Sequence, residues 1–242
     1  MRKTSILTAN LRYSLQLASV LVVAVMLGAT TPAIAGTVAF LDGTFVPSDW
    51  ELIHITDVMS GAFAQASQVT TGGNPDAYRL VHHELPPAPP GGSIAVYAFH
   101  GKVDATFDPS TQGTLLAIDW QMDFRETAPP FPGAAMAFGP ALRQGGIVYF
   151  RYQAQSDTAW QTYSATGLTA ADFVPYGGTS HPDFATSGGI IEFGFFTANG
   201  STDSYAGSIN EAGFDNWSMT LSFDETVSVD QETWSSIKSL YR

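Results

Sequence analysis

The chain has no cysteine, which removes disulfides, thiolate nucleophiles, zinc fingers and cysteine-ligated iron–sulfur clusters from consideration. Stability must come from a packed core. Positive charge is also scarce, with ten Lys and Arg against 22 Asp and Glu in 242 residues. Three of the ten, Arg2, Lys3 and Arg12, fall in the first 35 residues, which contain no acid, so residues 36–242 carry seven cations against 22 anions, a net charge of −15. Such a surface repels phosphate backbones and anionic lipids, and no run of Lys or Arg offsets it, so nucleic acid and membrane surfaces are poor partners. The stretches HExxH and GxSxG are absent, leaving zinc-peptidase and α/β-hydrolase readings without local support. No repeat of solenoid or propeller period is present, and nothing beyond residue 35 approaches the ~20 apolar residues of a spanning helix.

The early segment has a different composition. Its cations precede an apolar run from Leu15 to Ala29, and small residues end it at Ala33-Ile34-Ala35. This charge, apolar and small-residue order is that of a secretory signal peptide, and it predicts cleavage before Gly36 with a secreted, periplasmic or cell-surface destination. The division expected is a signal peptide at 1–35, one domain at 36–224 and a tail at 225–242. Within that tail Trp234, Ile237, Leu240 and Tyr241 have the spacing of a short amphipathic helix.

Period-two alternation dominates after Gly36 and predicts strands buried on one face. In residues 116–125, Leu116, Ile118, Trp120, Met122 and Phe124 alternate with Ala117, Asp119, Gln121, Asp123 and Arg125. In 148–154, Val148, Phe150, Tyr152 and Ala154 alternate with Tyr149, Arg151 and Gln153, and in 216–223 Trp217, Met219, Leu221 and Phe223 alternate with polar residues. Weaker strands are expected at 37–41, 50–56, 78–83, 94–100, 159–165 and 190–197, separated by turns rich in Gly, Pro and Asn. Thr169 to Asp172 reads as one capped helical turn. Many short strands with such turns predict an all-β, two-sheet antiparallel β-sandwich of the jelly-roll kind, with little helix.

Asp119, Gln121 and Asp123 share one strand face, but the two carboxylates start ~13 Å apart, beyond the roughly 5–9.5 Å of glycosidase pairs. A polar outer face is the plainer account of them. If Tyr149, Arg151 and Gln153 lay on a neighbouring strand, the joint face would offer paired hydrogen bonds and aromatic cover for a sugar. Trp160, Tyr163, Tyr176 and Tyr205 sit beside turns or in Gly-rich loops and are the rings expected at the surface. The candidate ligand-binding set is Asp119, Gln121, Asp123, Tyr149, Arg151, Trp160 and Tyr163, with no catalytic residue assigned. His82 and His83, adjacent in a strand, point to opposite faces and cannot share a metal. Asn199 and Asn216 head glycosylation sequons, read as chance.

The stretches GGNPDAYR at 72–79, FDPSTQGTLLAIDW at 107–120, LTAADF at 168–173, GGIIEFGFFTAN at 188–199 and GFDNWSMTL at 213–221 resemble uncharacterised exported bacterial proteins. Those proteins are similar to jelly rolls of the laminin-G and carbohydrate-binding-module type. The resemblance implies a structural calcium held by an early acidic loop and an Asp opening the last strand. Asp42 and Asp215 stand in those places, with Asn216 able to add an oxygen; Leu41 occupies a place where such modules often have Glu. No catalytic motif comes with it. The expected function is a non-catalytic exported sandwich binding an extracellular glycan or another extracellular surface. A structural or adhesive protein without a small-molecule site, and a glycan-active hydrolase or lyase, are the alternatives.

Overall fold

Strands form where apolar side chains alternate, because a half-buried pleat rewards that spacing. The computed structural model describes residues 35–55, 61–127, 135–154, 157–202 and 207–225. It contains two antiparallel sheets. The first holds β1 (Ala35–Asp42), β3 (Phe63–Gly73), β4 (Asp76–Leu85), β6 (Leu115–Glu126), β10 (Gln161–Leu168) and β13 (Ser208–Asp224). The second holds β2 (Trp50–His54), β5 (Ser93–Phe107), β7 (Ala137–Gln144), β8 (Ile147–Phe150), β9 (Gln153–Ala154), β11 (Val174–Pro175) and β12 (Ile191–Thr202). The first sheet runs β10–β6–β13–β4–β3 with β1 also on β13, and the second β11–β8–β7–β12–β5–β2 with β9 on β7. Helix among the described residues is confined to single turns at Pro47–Asp49, Pro109–Gln112 and Ala170–Asp172. In the last of these the Asp172 carboxylate accepts from the Thr169 amide and hydroxyl at 2.8 and 3.0 Å, as the sequence suggests.

The main core lies between the sheets. Ile118, Trp120, Met122 and Phe124 of β6 and Trp217, Met219 and Leu221 of β13 meet Phe138 of β7 and Phe193 and Phe195 of β12. Phe124 stacks on Phe138 with centroids 4.3 Å apart, and Phe195 meets Phe214 at 5.0 Å. Each such side chain contributes about 1.5–3 kcal/mol by leaving water. The second sheet also buries its other face, where Phe99, Phe150 and Phe196 pack with Val148 and Ala198. All-apolar stretches such as Phe193 to Phe196 follow from that double cover.

Several expectations change here. The segment 148–154 is two strands, β8 and β9, not one. Its faces are the reverse of a simple inside–outside split: Tyr149 enters the inter-sheet core while Val148 and Phe150 pack on the outer face. A strand covered on both sides gives no polar face from which to orient the pattern. Leu116 is exposed and Leu115 is buried, because a register shift between Ser222 and Phe223 of β13 pairs Phe223 with Leu115 rather than Leu116. Strands β3 and β7 have no counterpart among the expected ones; β3 has few large apolar residues, and β7 contains both Gly139 and Pro140. The expected signal segment apart from Ala35, the expected tail helix and Tyr205 lie outside the described residues; Ala35 is the first residue of β1.

Candidate functional site

β13 changes neighbours at its middle. Up to Phe214 it pairs with β4, and from Trp217 onward with β1. Asp215 and Asn216 occupy the transition and bulge against β6, with Asn216 at φ +48°, a left-handed conformation that Asn tolerates better than most residues. The β3–β4 turn fills the gap. The Asn74 amide donates to Asp215 Oδ2, Asn74 Nδ2 donates to Asp123 Oδ2 at 3.0 Å, and Asn216 Nδ2 donates to the same oxygen at 2.7 Å and to the Asn74 carbonyl. Thr162 Oγ1 donates to Asp123 Oδ1 at 2.6 Å. Glycine is required at 73, where a Cβ would stand 2.7 Å from Asp215 Oδ2 and 2.6 Å from the Ala77 carbonyl.

Asp123 and Asp215 are both buried, and neither forms an ion pair among the described residues. Burial pushes the Asp215 carboxyl up; the Asn74 and Asn216 amides pull it down, and the charges of Asp123 and Asp42 push it up again, leaving it raised. The donors here are oxygens, the set a hard divalent cation takes. Asp42 is placed differently. Its Oδ1 accepts from Thr44 N at 2.7 Å, Thr44 Oγ1 at 2.8 Å and Phe45 N at 3.0 Å, while Oδ2 accepts from Trp50 Nε1 at 2.8 Å and faces Lys102 Nζ at 3.5 Å. It caps a turn in which Phe45 has φ +51° and stacks on Trp50 at 5.0 Å. A cation at Asp42 would have to displace one of these donors. The same holds in the notch, where Thr162, Asn74 and Asn216 occupy both oxygens of Asp123 and the Asn74 and Asn216 amides those of Asp215, so the fit to a metal is partial and would require Asn74 and Asn216 to turn. Among the described residues no three or more acidic or histidine side chains group as metal ligands.

The expected sugar face is dispersed. Asp119 and Gln121 are exposed on the outer side of β6, and Asp119 Oδ1 accepts from the Gly167 amide at 2.7 Å. Trp160 belongs to the same side: Arg125 lies 4.7 Å above its ring, Tyr78 meets its edge at 5.5 Å, and its Nε1 donates to the Gly72 carbonyl at 3.2 Å. Tyr163 turns inward onto Phe124 and Phe138, and its hydroxyl donates to Asp157. Burial, then that bond and the Asp157 charge, raise the Tyr163 phenol. Tyr149 is buried in the second sheet, and Arg151 follows it there, donating its amide to the Pro140 carbonyl at 3.0 Å. The neighbours of β6 are β10 and β13, and β8 pairs with β7 and β11. The structure thus brings Asp119, Gln121, Asp123 and Trp160 to one sheet, without Tyr149, Arg151 or Gln153 beside them.

The more open aromatic group is on the far side of the second sheet. Tyr152 and Tyr176 are 62% and 50% exposed. Tyr176 packs tilted at 55° against Tyr97 with centroids 4.6 Å apart, Tyr97 meets Phe150 at 5.9 Å, and Tyr152 lies 6.5 Å from Phe196. Burial raises the Tyr97 phenol, and the phenols of Tyr176 and Tyr152 act in the same direction, so the three hydroxyl-bearing rings share one neighbourhood. Beneath them Phe99, Phe196, Ala137, Ala141 and Ala198 form a buried apolar floor. Sequence reasoning singles out Tyr176 by its Gly-rich loop. It assigns Tyr152 to the wrong face and passes over Tyr97, since nothing in either local pattern signals a second covered face.

These features define an all-β protein of two packed antiparallel sheets with an acidic notch at one strand exchange and an aromatic surface on the other sheet. No known family's sequence profile matches the chain, and no curated protein matches it. Among solved structures, an exo-β-agarase aligns with TM-score 0.41 and 13% identity over 74% of this chain and 25% of its own. A cleaved adhesin domain of Lys-gingipain from Porphyromonas gingivalis aligns at 0.41 and 7% over 75% and 97%. A protein of unknown function from Shewanella oneidensis aligns at 0.40 and 10% over 94% and 99%. The chain thus spans about a quarter of the agarase. At these scores the functions of those proteins do not transfer to it.

Proposed function

We propose that the chain is an exported, non-catalytic β-sandwich that binds an extracellular glycan through the tyrosine-rimmed surface of its second sheet. The carrying observation is the pair of exposed rings, Tyr152 and Tyr176, standing with Tyr97 over an apolar floor. A pyranose presents C–H groups that cover an aromatic face, and the phenol hydroxyls accept and donate to its own hydroxyls. A few aromatic rings, each with only two side-chain torsions, lose little conformational freedom on binding. A glycan array probed with the chain from Gly36, in calcium and in chelator, is expected to retain a defined sugar class. The double variant Tyr152→Ala, Tyr176→Ala is expected to bind about 2 kcal/mol more weakly, roughly thirtyfold in Kd, with an unchanged melting temperature. Equal binding by wild type and variant would remove the surface from consideration, and no retention by the wild type would favour the structural or adhesive alternative.

We further propose that the notch holds a calcium ion through Asp215, Asp123 and Asn216, with Asp42 shaping the adjoining turn. Two buried carboxylates bridged only by neutral donors support this. Because the site would exist only in the folded chain, millimolar calcium is expected to raise the thermal midpoint over that in chelator. The gain should vanish in Asp215→Asn. Identical wild-type melts in both buffers would end the calcium proposal and leave the notch a hydrogen-bonded turn.

A further inference from the structure

Five polar side chains lie linked together in the largely apolar space between the sheets, with Asn210 of β13 opposite His83 and Glu126 of β6 also buried nearby. Arg79 and His83 come from β4 of the first sheet; His100 of β5 and Thr197 and Asn199 of β12 come from the second, and all five are at least 95% buried. Arg79 Nε donates to His100 Nδ1 at 3.2 Å, His100 Nε2 contacts Thr197 Oγ1 at 2.9 Å, the same hydroxyl contacts His83 Nε2 at 3.0 Å, and His83 Nδ1 contacts Asn199 Oδ1 at 2.8 Å. Asn199 Nδ2 ends the series on the Ala135 carbonyl at 3.1 Å.

One set of protons satisfies every link. A guanidinium only donates, so His100 Nδ1 accepts and the ring's proton sits on Nε2, pointed at Thr197. The threonine hydroxyl accepts that bond and spends its single proton on His83 Nε2. His83 therefore carries its proton on Nδ1, which donates to Asn199 Oδ1, and the amide nitrogen of Asn199 is left to donate to Ala135. Reversing His83 would turn two acceptors on each other at Asn199, and rotating the Asn199 amide would do the same at Ala135. The two imidazoles, when neutral, must be opposite tautomers. A second proton on His100 would meet the Arg79 N–H, whereas one on His83 would turn the Thr197 hydroxyl, which can accept from both rings, and leave a charge on a fully buried ring.

We infer that Arg79, His100, Thr197, His83 and Asn199 form an acid-sensitive lock that ties β4 to β5 and β12 while both buried imidazoles are neutral, and that a proton on His100 breaks it at Arg79. The surrounding charges offer little relief. Arg79 from β4 and His54 from β2 are positive or can become so, His82 beside His83 faces the other way toward Glu211 and Glu84, and Glu126 of β6 accepts from the Met136 amide beyond Asn199. Asp42 acts on Arg79 rather than on the rings. Burial pushes His83 down to about 4 despite its bond to Asn199, helped by His82 and His54; burial, then Arg79, His83 and His54, pushes His100 well below its ordinary value. A histidine whose folded value is depressed contributes stability that is complete above the unfolded value near 6.5 and is lost as the pH falls toward the folded value. Within that window each ring lowers the folding constant by up to about tenfold per pH unit. Asp215, whose folded value is raised, tilts stability the other way.

Two measurements on the folded chain test the lock without reference to any ligand. Long-range proton–nitrogen spectra of histidine-labelled protein at pH 7.5 should show His83 protonated on Nδ1 and His100 on Nε2. Urea midpoints between pH 6.5 and 5, above the ordinary carboxylate range, should fall with pH in the wild type and in the outward-facing control His82→Gln. The fall should be shallower by up to tenfold per unit in His83→Gln. Like tautomers on the two rings, a flat wild-type profile, or a slope that disappears with His82→Gln instead would each overturn the inference. Where His83→Gln does not fold, the tautomer spectrum and the wild-type slope decide it.

Discussion

Trp120→Ala is expected to lower the unfolding free energy by about 3–5 kcal/mol, the cost of deleting a large aromatic from a packed core. Trp120 is 2% exposed and packs in the inter-sheet core near Phe138, with centroids 6.4 Å apart. Its chain neighbours point the other way. Gln121→Ala should stay within about 0.5 kcal/mol, as exposed substitutions usually do. Asp119→Ala should cost up to about 1 kcal/mol, because the Gly167 amide loses its acceptor. Urea midpoints of the three variants check the order. Similar midpoints for Trp120→Ala and Gln121→Ala would mean that the two faces of β6 are assigned the wrong way round.

Asp42→Ala should be nearly as damaging, at about 3 kcal/mol, for a different reason. It leaves the Thr44 and Phe45 amides and the buried Trp50 indole N–H without their acceptor, and an unsatisfied buried donor costs about 1–3 kcal/mol. It also releases Phe45, whose left-handed backbone at φ +51° is held by that cap. Burial disfavours the Asp42 charge but is outweighed by the bonds from Phe45, Thr44 and Trp50, so its carboxyl is held below the usual 3.8. With a depressed carboxylate, the stabilisation is present above the unfolded value and disappears as the pH falls below it through the folded value. The loss in Asp42→Ala should accordingly be the same at pH 6 and pH 8, and the same in calcium and in chelator. A loss confined to calcium-containing buffer would show that Asp42 is a ligand after all.

What could be read in the residues was what depends on one strand at a time. Alternation located β6 and β13 and put Trp120, Met122, Trp217 and Met219 inside, because their polar neighbours mark the outer face. It failed where that contrast is missing. Val148, Tyr149 and Phe150 are buried on both sides of β8, so nothing local tells which face is which. Leu116 is misplaced by a bulge that depends on the partner strand β13 and leaves no mark in β6 itself. The site residues follow the same rule. Asp123 and Asp215 meet Asn74, about 50 and 140 positions away, through a strand exchange that no spacing encodes. His83 was readable only as the neighbour of His82 on the opposite face, and only the apposition of two sheets joins it to His100 through Thr197. Tyr97, Tyr152 and Tyr176 converge across three separate segments.

The pairing of β1 with β13 sets an order of events. Ala35 lies opposite Asp224 and Asp42 opposite Trp217, so the earliest described strand waits for the last before either can satisfy its backbone. β13 also stands between β6 and β4, so without it the first sheet is three separate edges. The second sheet has no such dependence, being complete once β12 ends at Thr202. A chain emerging from its amino end can assemble one layer early, but the layer that covers it forms only when residues 208–224 arrive. Contacts this distant in sequence make folding slow. Until that strand is in place, the inward rings of β12 and β7 lack a continuous layer to cover them.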